Sequence, residues 1–210
     1  MKLYLALDTA TARPTLALGT PAEPGTDLAV ASRHELSREI ERVAAGLLAG
    51  RGVSPRDLAG VVVADGPGSF TGLRIGIAFA KGLCRAARLP LLAAPSLQGA
   101  ARAAAPDGFA VLAEYEALRG DVFRAVYRFH AGAVDVLLAP ELTDSQAPVP
   151  GEVAVRAGES SASAAALIGL VGIPDGAAQV PDPASWEPAY GRRAEAEARR
   201  LAREDRARGP

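Results

Sequence analysis

The hydrophobic pattern changes its period several times along the first hundred residues, and these changes predict an order of elements. Short apolar runs at Lys2–Leu7, Thr15–Gly19 and Leu28–Ser32, separated by polar or Pro/Gly turns, predict three antiparallel strands. From Glu35 to Ala49 apolar residues recur at helical spacing, which predicts an amphipathic helix. The continuous apolar run Val61–Ala64 is typical of a strand buried on both faces.

The remaining pattern predicts two lobes. A Gly-rich loop and then a helix follow Val61–Ala64. The second half of the chain again shows the apolar pattern of strands, but more weakly. The further predicted elements are a helix to Arg88, a strand at Pro90–Ala93, a helix from Ser96 to Ala105, strands at Phe109–Glu114, Val122–Arg128, Val134–Leu138 and Val153–Ala157, a loop or short helix at Glu141–Gly151, a helix at Ser160–Leu170 and a charged helix from Arg192. This order predicts an α/β lobe over residues 1–105 and a smaller lobe over residues 106–210.

Composition narrows the classes of function. With 210 residues, 49% of them hydrophobic, the chain can bury a core without disulfides. A single cysteine, Cys84, and two histidines, His34 and His130, argue against any site that needs several Cys or His ligands. The net charge of −1 argues against coating nucleic acid by bulk charge. Because no long apolar run occurs and Asp8 interrupts the first one, a soluble, cytoplasmic protein without membrane contact is expected.

A loop of glycine and small polar residues follows the buried strand. Its sequence is Asp65-Gly66-Pro67-Gly68-Ser69-Phe70-Thr71-Gly72. Between a strand and a helix, loop N–H groups and the positive end of the helix can bind an anion. The spacing matches neither a P-loop nor a dinucleotide fingerprint. Two interpretations stay open, a phosphate or adenylate cradle and a structural turn.

Asp8, Thr9 and Thr11 follow the first strand and have the same two interpretations. A carboxylate with hydroxyls can hold a metal and a phosphate, whereas the same residue types also stabilise turns. No second carboxylate lies nearby in the sequence. The candidate nucleotide-binding residues are therefore Asp8, Gly66, Gly68, Ser69 and Thr71, with weak nucleotide binding as the expected extent and no intrinsic cofactor.

The helix after the loop has two apolar faces. Leu73, Ile77, Ala80, Cys84 and Ala87 form one face, and Gly72, Ile75, Gly76, Phe79, Leu83 and Ala86 form the other. One face can pack on the sheet, and the other needs a cover. That cover is either the Glu35–Ala49 helix or a partner, which the glycine pair would allow to approach closely. A bulky charge at Gly76 is then expected to block the partner.

For the other conspicuous residues, a structural role is expected rather than a catalytic or binding role. Cys84 lies on an apolar stripe and is expected to be inert core, and His34 and His130 are expected to be structural or solvated. Trp186 and Tyr190 are expected to anchor a Pro-rich stretch. The segment Arg192–Arg208 carries seven arginines and four acids, so both RNA contact and a solvated helix remain open.

The run from Val61 to Leu83 resembles the signature of the TsaB family, which acts in bacterial tRNA threonylcarbamoyladenosine biosynthesis and was historically labelled glycoprotease. The opening Leu5-Ala6-Leu7-Asp8-Thr9-Ala10-Thr11 resembles the family as well. Weaker likenesses occur at Glu116–Phe123, where Leu118 replaces the arginine of the family motif, and at Pro188–Arg192. The stretch between Gly158 and Trp186 looks shorter than in the family, which implies a reduced second lobe.

The resemblance implies an actin-like, sugar-kinase-type fold of two lobes and a non-catalytic subunit. Its implied partners are the catalytic paralogue TsaD, with which it pairs as a heterodimer, and the ATPase TsaE. tRNA is then contacted only through the complex, and a homodimer can form when TsaD is absent. The family pairs through its first two helices. We therefore expect the interface to contain Ile40, Val43, Leu47, Gly72, Ile75, Gly76, Phe79 and Leu83.

A comparison with the paralogue bears on the alternative of an enzyme. TsaD carries a His-Leu-Glu-Gly-His element whose histidines bind a metal, and the corresponding stretch here is Ser96-Leu97-Gln98-Gly99-Ala100. Neither serine nor alanine replaces an imidazole ligand. No metal site is therefore expected, and no catalytic residue is assigned. The alternative is a nucleotide-dependent kinase or transferase or a metallopeptidase of the same fold. The missing metal histidines, the absence of a P-loop and the single cysteine all count against it.

Overall fold

Two β-sheets organise the chain in the computed structural model, which describes residues 2–30, 35–117, 120–149 and 151–188. The strands are β1 (Tyr4–Asp8), β2 (Thr15–Gly19), β3 (Leu28–Ala29), β4 (Gly60–Ala64), β5 (Leu91–Ala94), β6 (Ala110–Glu116), β7 (Asp121–His130), β8 (Ala133–Asp144), β9 (Val155–Ala157) and β10 (Ala178–Gln179). The helices are α1 (Leu36–Gly50), α2 (Phe70–Ala87), α3 (Ser96–Ala104) and α4 (Ala164–Gly169). The predicted elements of the first lobe are all present. Their bounds differ by at most two residues, except that the third strand was predicted to Ser32 and ends at Ala29.

The first sheet has the order β10-β5-β4-β1-β2-β3. Strands β1, β4 and β5 are parallel, as expected for strands linked through helices, while β2 and β3 extend the sheet as an antiparallel meander. All five residues of β1 and of β4 are buried, because α1 and α2 pack beside the sheet and α4 packs on β1, β2 and β4. The sheet is thus covered on both faces.

The second sheet is smaller, with the order β8-β7-β6-β9, and α3 packs against β6, β7 and β9. The expectation of a loop or short helix from Glu141 is wrong for its first residues, because β8 continues to Asp144. Pro140 is tolerated there because β8 is an edge strand and a bulge lies opposite Arg124–Val126. An edge position and a bulge are the places where a strand accepts proline.

The chain returns to the first sheet after it has built the second. Strand β10 pairs with β5, and two hydrogen bonds join helix α4 to the β1–β3 meander. The N–H of Ala164 donates to Thr15 Oγ1 at 3.0 Å, and the N–H of Ala165 donates to Asp27 Oδ1 at 2.9 Å. A division at residue 105 therefore separates the two sheets but assigns β10 and α4 to the wrong side. Both come after residue 105 in the sequence, and both pack on the first sheet.

Candidate functional site

The Gly-rich loop packs tightly against the turn between β1 and β2. The N–H of Ser69 donates to the Ala10 carbonyl at 2.6 Å. A Cβ at Gly68 would lie within 3.0 Å of the Ala10 carbonyl, and one at Gly72 within 3.0 Å of the Thr9 carbonyl. These two glycines allow two backbone segments of the same chain to approach each other.

Several N–H groups of the loop already have partners within the protein. Gly66 donates to Ser96 Oγ at 3.0 Å, and Gly72 donates to Ser69 Oγ at 3.2 Å, so Ser69 caps α2 as the turn interpretation expects. The N–H of Ser69 is taken by Ala10, as described above. An anion cradle needs donors that point into free space, and these three do not supply them.

A cleft of about 720 Å³ separates this loop from the second lobe. Gly68, Ser69 and Thr71 line one side, and Glu116 and Glu159 line the other. Among the lining residues that the structure describes, none is basic. A phosphate in this cleft would face two carboxylates, which disfavours the nucleotide interpretation on electrostatic grounds. Gly66, the fourth loop candidate, lies at a different cavity.

Asp8, the remaining nucleotide candidate, lies beneath this loop and is 1% exposed. Its Oδ1 accepts the Ala10 N–H at 3.1 Å, and its Oδ2 makes no hydrogen bond with a described residue. Burial raises the pKa of this carboxyl to about 6, the Ala10 N–H opposes the rise, and the charge of Asp27 adds to it. Thr11 accepts the Arg13 N–H at 3.2 Å, as a turn residue does.

The two positions that correspond to metal-binding histidines of the paralogue are enclosed in the core. Ser96 and Ala100 are both 0% exposed. The N–H of Ser96 donates to the Gly66 carbonyl at 2.9 Å, so this serine binds the Gly-rich loop through both its backbone and its side chain. Within the described ranges, no group of three or more His, Cys, Asp or Glu side chains could hold a metal ion.

Helices α1 and α2 leave an open groove of about 450 Å³ between them, which we call the α1–α2 groove. Apolar side chains and one glycine form nearly all of its wall, and Glu41 lies among them. The lining residues are Glu41, Ala44, Ala45, Leu48 and Pro55 on one side and Ala78, Phe79, Gly82, Leu83 and Ala86 on the other. Phe79 and Leu83 are half-buried, and Ala78, Gly82 and Ala86 are exposed.

The structure distributes the eight expected interface residues over different environments. Phe79 and Leu83 line the groove, and Ile75 lines the adjoining cleft. Leu47 is half-buried against the core and does not line the groove. Ile40 and Val43 are 4% and 6% exposed and belong to the core of the chain itself. Their contact with a partner stays a prediction.

The expectation that Gly72 and Gly76 admit a second helix is also wrong. A Cβ at Gly76 would lie within 3.0 Å of the Thr9 side chain, and Gly72 faces the Thr9 carbonyl. The close approach that these glycines allow is between α2 and the β1–β2 turn. A bulky residue at Gly76 would therefore disturb the fold rather than test an interface. A Cβ at Gly82 would meet no atom within 4 Å, and this glycine opens onto the groove.

The sequence interpretation missed the small residues of the groove wall, chiefly Ala44, Ala45, Ala78 and Gly82. Small side chains carry no chemistry of their own. The signal that could have found them is an alanine or glycine at helical spacing beside an apolar stripe, where a charged residue would be usual on a solvated helix face.

The other singled-out residues lie where their chemistry predicts. Cys84 is buried, its Sγ lies 3.6 Å from the Pro90 carbonyl, and burial raises the pKa of its thiol to about 11, as for an inert core cysteine. His130 is exposed beside Asp135. The carbonyl of Trp186 accepts a hydrogen bond from Lys81 Nζ at 2.7 Å. His34, Tyr190 and the segment Arg192–Arg208 lie outside the described residues.

In the part of the chain that the structure describes, no helix combines the length and apolar character needed to cross a bilayer.

The family model and the relatives that match this chain are all named for the same tRNA modification. The model of the family described as TsaD, tRNA N6-adenosine threonylcarbamoyltransferase, matches residues 29–159. Escherichia coli (strain K12) tRNA threonylcarbamoyladenosine biosynthesis protein TsaB is 33% identical over 146 residues, which are 66% of this chain and 63% of the relative. The protein of the same name from Bacillus subtilis (strain 168) is 38% identical over 84 residues, 40% of this chain and 36% of the relative. The match covers less than two thirds of either relative.

Solved structures agree at the level of the fold. YeaZ from Pseudomonas aeruginosa superposes with a TM-score of 0.71 and 22% identity, over 82% of this chain and 91% of that one. A structure described as an uncharacterized protein with similarity to peptidase YEAZ from Pseudomonas aeruginosa gives a TM-score of 0.76 and 22% identity, over 91% of this chain and 100% of that one. The fold is the actin-like, sugar-kinase-type α/β fold that the resemblance implied. Because the TsaD family model matches more than half of the chain and the relatives found are named TsaB, the chain belongs to this family, and the resemblance to TsaB is confirmed.

Proposed function

We propose that the chain is a non-catalytic subunit in the formation of N6-threonylcarbamoyladenosine in tRNA, and that it pairs with a TsaD-type catalytic subunit through the α1–α2 groove. The relatives named TsaB support the pathway. In this proposal TsaE acts on the pair, and tRNA is bound only through the complex. Two copies of this chain cover the same groove when TsaD is absent.

The observation that carries the proposal is the apolar lining of the groove. Phe79, Leu83 and Leu48 form its floor, and the exposed residues beside them on α2 are alanine and glycine. A solvated helix face normally carries charged side chains instead. Concave apolar surfaces between two helices accept a further helix, because burial of apolar area drives association.

The non-catalytic role is supported by what occupies the places of catalytic chemistry. Ser96 and Ala100 are buried at the positions of the paralogue's metal ligands, and Ser96 is committed to the Gly-rich loop. The cleft beside that loop carries Glu116 and Glu159 where a phosphate would need donors. Weak nucleotide binding without turnover remains a prediction, and it is checked by titrating ATP into the isolated chain.

The experiment that tests pairing is the substitution Gly82→Arg. Gly82 opens onto the groove, and a Cβ there meets no atom within 4 Å, so the arginine leaves the fold intact and places a charge in the apolar contact. Removing the guanidinium from water costs several kcal/mol, and the side chain also fills the groove that the partner would occupy. Size-exclusion chromatography with light scattering, on this chain mixed with TsaD of the same organism, is expected to show a complex for the wild type and none for Gly82→Arg.

Gly46→Arg is the matched control, because Gly46 also lies in a helix, also faces open space and does not line the groove. It is expected to pair like the wild type. A Gly82→Arg chain that still co-elutes with TsaD would place the interface elsewhere. Absence of a complex with the wild type and a folded TsaD would overturn the pairing itself.

A further inference from the structure

A second cavity lies on the other side of the Gly-rich loop, and the proposed function makes no use of it. It encloses about 280 Å³ between that loop, the start of α3 and strands β7 and β8, and we call it the Asp65 pocket. Its apolar wall consists of Pro67, Pro95, Leu97, Phe123, Pro140 and Leu142. Its volume lies just below the range of about 300–1,000 Å³ that is usual for small-molecule pockets, so only a small ligand fits.

Two polar side chains converge on this apolar wall. Asp65 follows β4, and no described side chain pairs with its carboxylate. Tyr127 is 2% exposed, and its hydroxyl makes no hydrogen bond to any residue that the structure describes. Both residues line the same pocket, and burial and then the charge of Asp65 raise the pKa of Tyr127. A hydroxyl that lines a cavity and has no partner among the described residues can make a hydrogen bond to a ligand there.

The other carboxylate of the pocket is already neutralised. Glu141 Oε1 accepts a hydrogen bond from Arg124 Nε at 2.8 Å, and Arg124 is 4% exposed. The same guanidinium donates to the carbonyls of Ala147 at 2.8 Å and Pro148 at 3.1 Å. Arg124 therefore fixes the part of β8 that forms the outer wall of the pocket. The charge left for a ligand is that of Asp65.

We propose that the Asp65 pocket binds a small organic ammonium with an aromatic or branched aliphatic body. The carboxylate of Asp65 receives the ammonium, the hydroxyl of Tyr127 makes a hydrogen bond to it or to a neighbouring polar atom, and the proline and phenylalanine walls cover the body. Charge-assisted hydrogen bonds in a partly buried site are stronger than neutral ones, which makes the pocket selective for the cation over a neutral ligand of the same shape. This site is independent of the proposed pairing through the α1–α2 groove.

The test compares two probes of one shape, the phenethylammonium ion and 2-phenylethanol. Both are titrated into the ¹⁵N-labelled full chain at pH 8, above the pKa of about 6 to which burial raises the Asp65 carboxyl. The ammonium is expected to bind at least about tenfold more tightly than the alcohol, with shifts of the N–H signals of Gly66 and Leu142. Asp65→Asn should make the two probes bind with similar affinity. Asp57→Asn replaces an exposed aspartate that does not line the pocket and should change neither affinity.

Leu142→Arg gives a second variant that does not touch the buried polar groups. Leu142 is 48% exposed at the mouth, so the arginine is tolerated by the fold and is expected to abolish binding of both probes. The proposal is overturned if neither probe binds the wild type, if both bind equally, or if binding persists unchanged in Leu142→Arg. Failure of the Gly82→Arg pairing experiment would leave these results unaffected.

Discussion

The buried carboxyl of Asp8 is predicted to contribute less to the stability of the protein as the pH rises from 4 to 8. Asp8 is 1% exposed, and burial raises its pKa from the ordinary aspartate value of 3.8 to about 6. A carboxyl whose pKa is higher in the folded than in the unfolded state holds its proton more tightly when folded. Its contribution is therefore fully present below pH 4 and is lost as the pH rises through 6.

The size of this effect follows from the two pKa values. Each tenfold change in the acid constant corresponds to about 1.4 kcal/mol, so ionisation of Asp8 removes about 3 kcal/mol from the free energy of unfolding. This is a large fraction of the 5–15 kcal/mol that is typical of a domain. In Asp8→Asn the amide oxygen can keep the hydrogen bond from the Ala10 N–H, and no ionisation occurs.

The assay is urea unfolding of the wild type and of Asp8→Asn at pH 4 to 8, followed by circular dichroism and by the fluorescence of Trp186, the single tryptophan. The amide itself adds a constant difference, because its NH₂ group is buried where Oδ2 has no described partner. The part that changes with pH is the test. Asp8→Asn should gain about 2 kcal/mol relative to the wild type between pH 4 and pH 8, because part of the total effect occurs at or below pH 4.

Asp57→Asn is the control with the opposite sign. Asp57 is exposed, and the side chain and N–H of Ser54 lower its pKa, so the wild-type carboxylate contributes stability above pH 4 that the amide variant lacks. If the difference between the wild type and Asp8→Asn is the same at pH 4 and pH 8, the reasoning from burial is refuted.

Two further substitutions test the packing beneath the Gly-rich loop. Gly76→Ala should destabilise the protein by about 1 to 3 kcal/mol, because the new methyl group would lie within 3.0 Å of Thr9. Gly46→Ala, where the methyl group meets open space, should stabilise α1 by up to about 1 kcal/mol. If thermal unfolding shows Gly76→Ala to be the more stable variant, the close approach of Thr9 to Gly76 is contradicted. Ser96→Ala should lower the free energy of unfolding in urea by about 1 to 3 kcal/mol, because it leaves the N–H of Gly66 without its acceptor. An unchanged unfolding midpoint would show that another acceptor takes the place of the Ser96 hydroxyl.

The first lobe could be predicted from the sequence because its signals are local. The turns before and after β2, the period of α1 and the apolar run of β4 each depend on neighbouring residues. Pro140 misled the prediction, because only the sheet order shows that β8 is an edge strand with a bulge. Strand β10 is two residues long and gains its role from pairing with β5, which lies more than eighty residues earlier.

The candidate site was harder to predict, because its contacts join residues that lie far apart in the sequence. The apolar face of α2 was recognised, but periodicity does not tell which part of a face the chain covers itself. Thr9 reaches Gly76 because β1 and α2 meet in space, and no local pattern records that contact. Ser96 was identified as unable to bind a metal, whereas its actual contact, the Gly66 N–H, required the structure.

The return of β10 to the first sheet has a consequence for synthesis on the ribosome. The amino-terminal sheet is completed by residues 178–179 and covered by a helix at residues 164–169, and the whole second sheet is translated in between. The first hundred residues therefore emerge from the exit tunnel with an exposed edge at β5 and one uncovered apolar face. Exposed strand edges and apolar faces promote aggregation, so the nascent chain is expected to be most exposed to it until its last strand arrives.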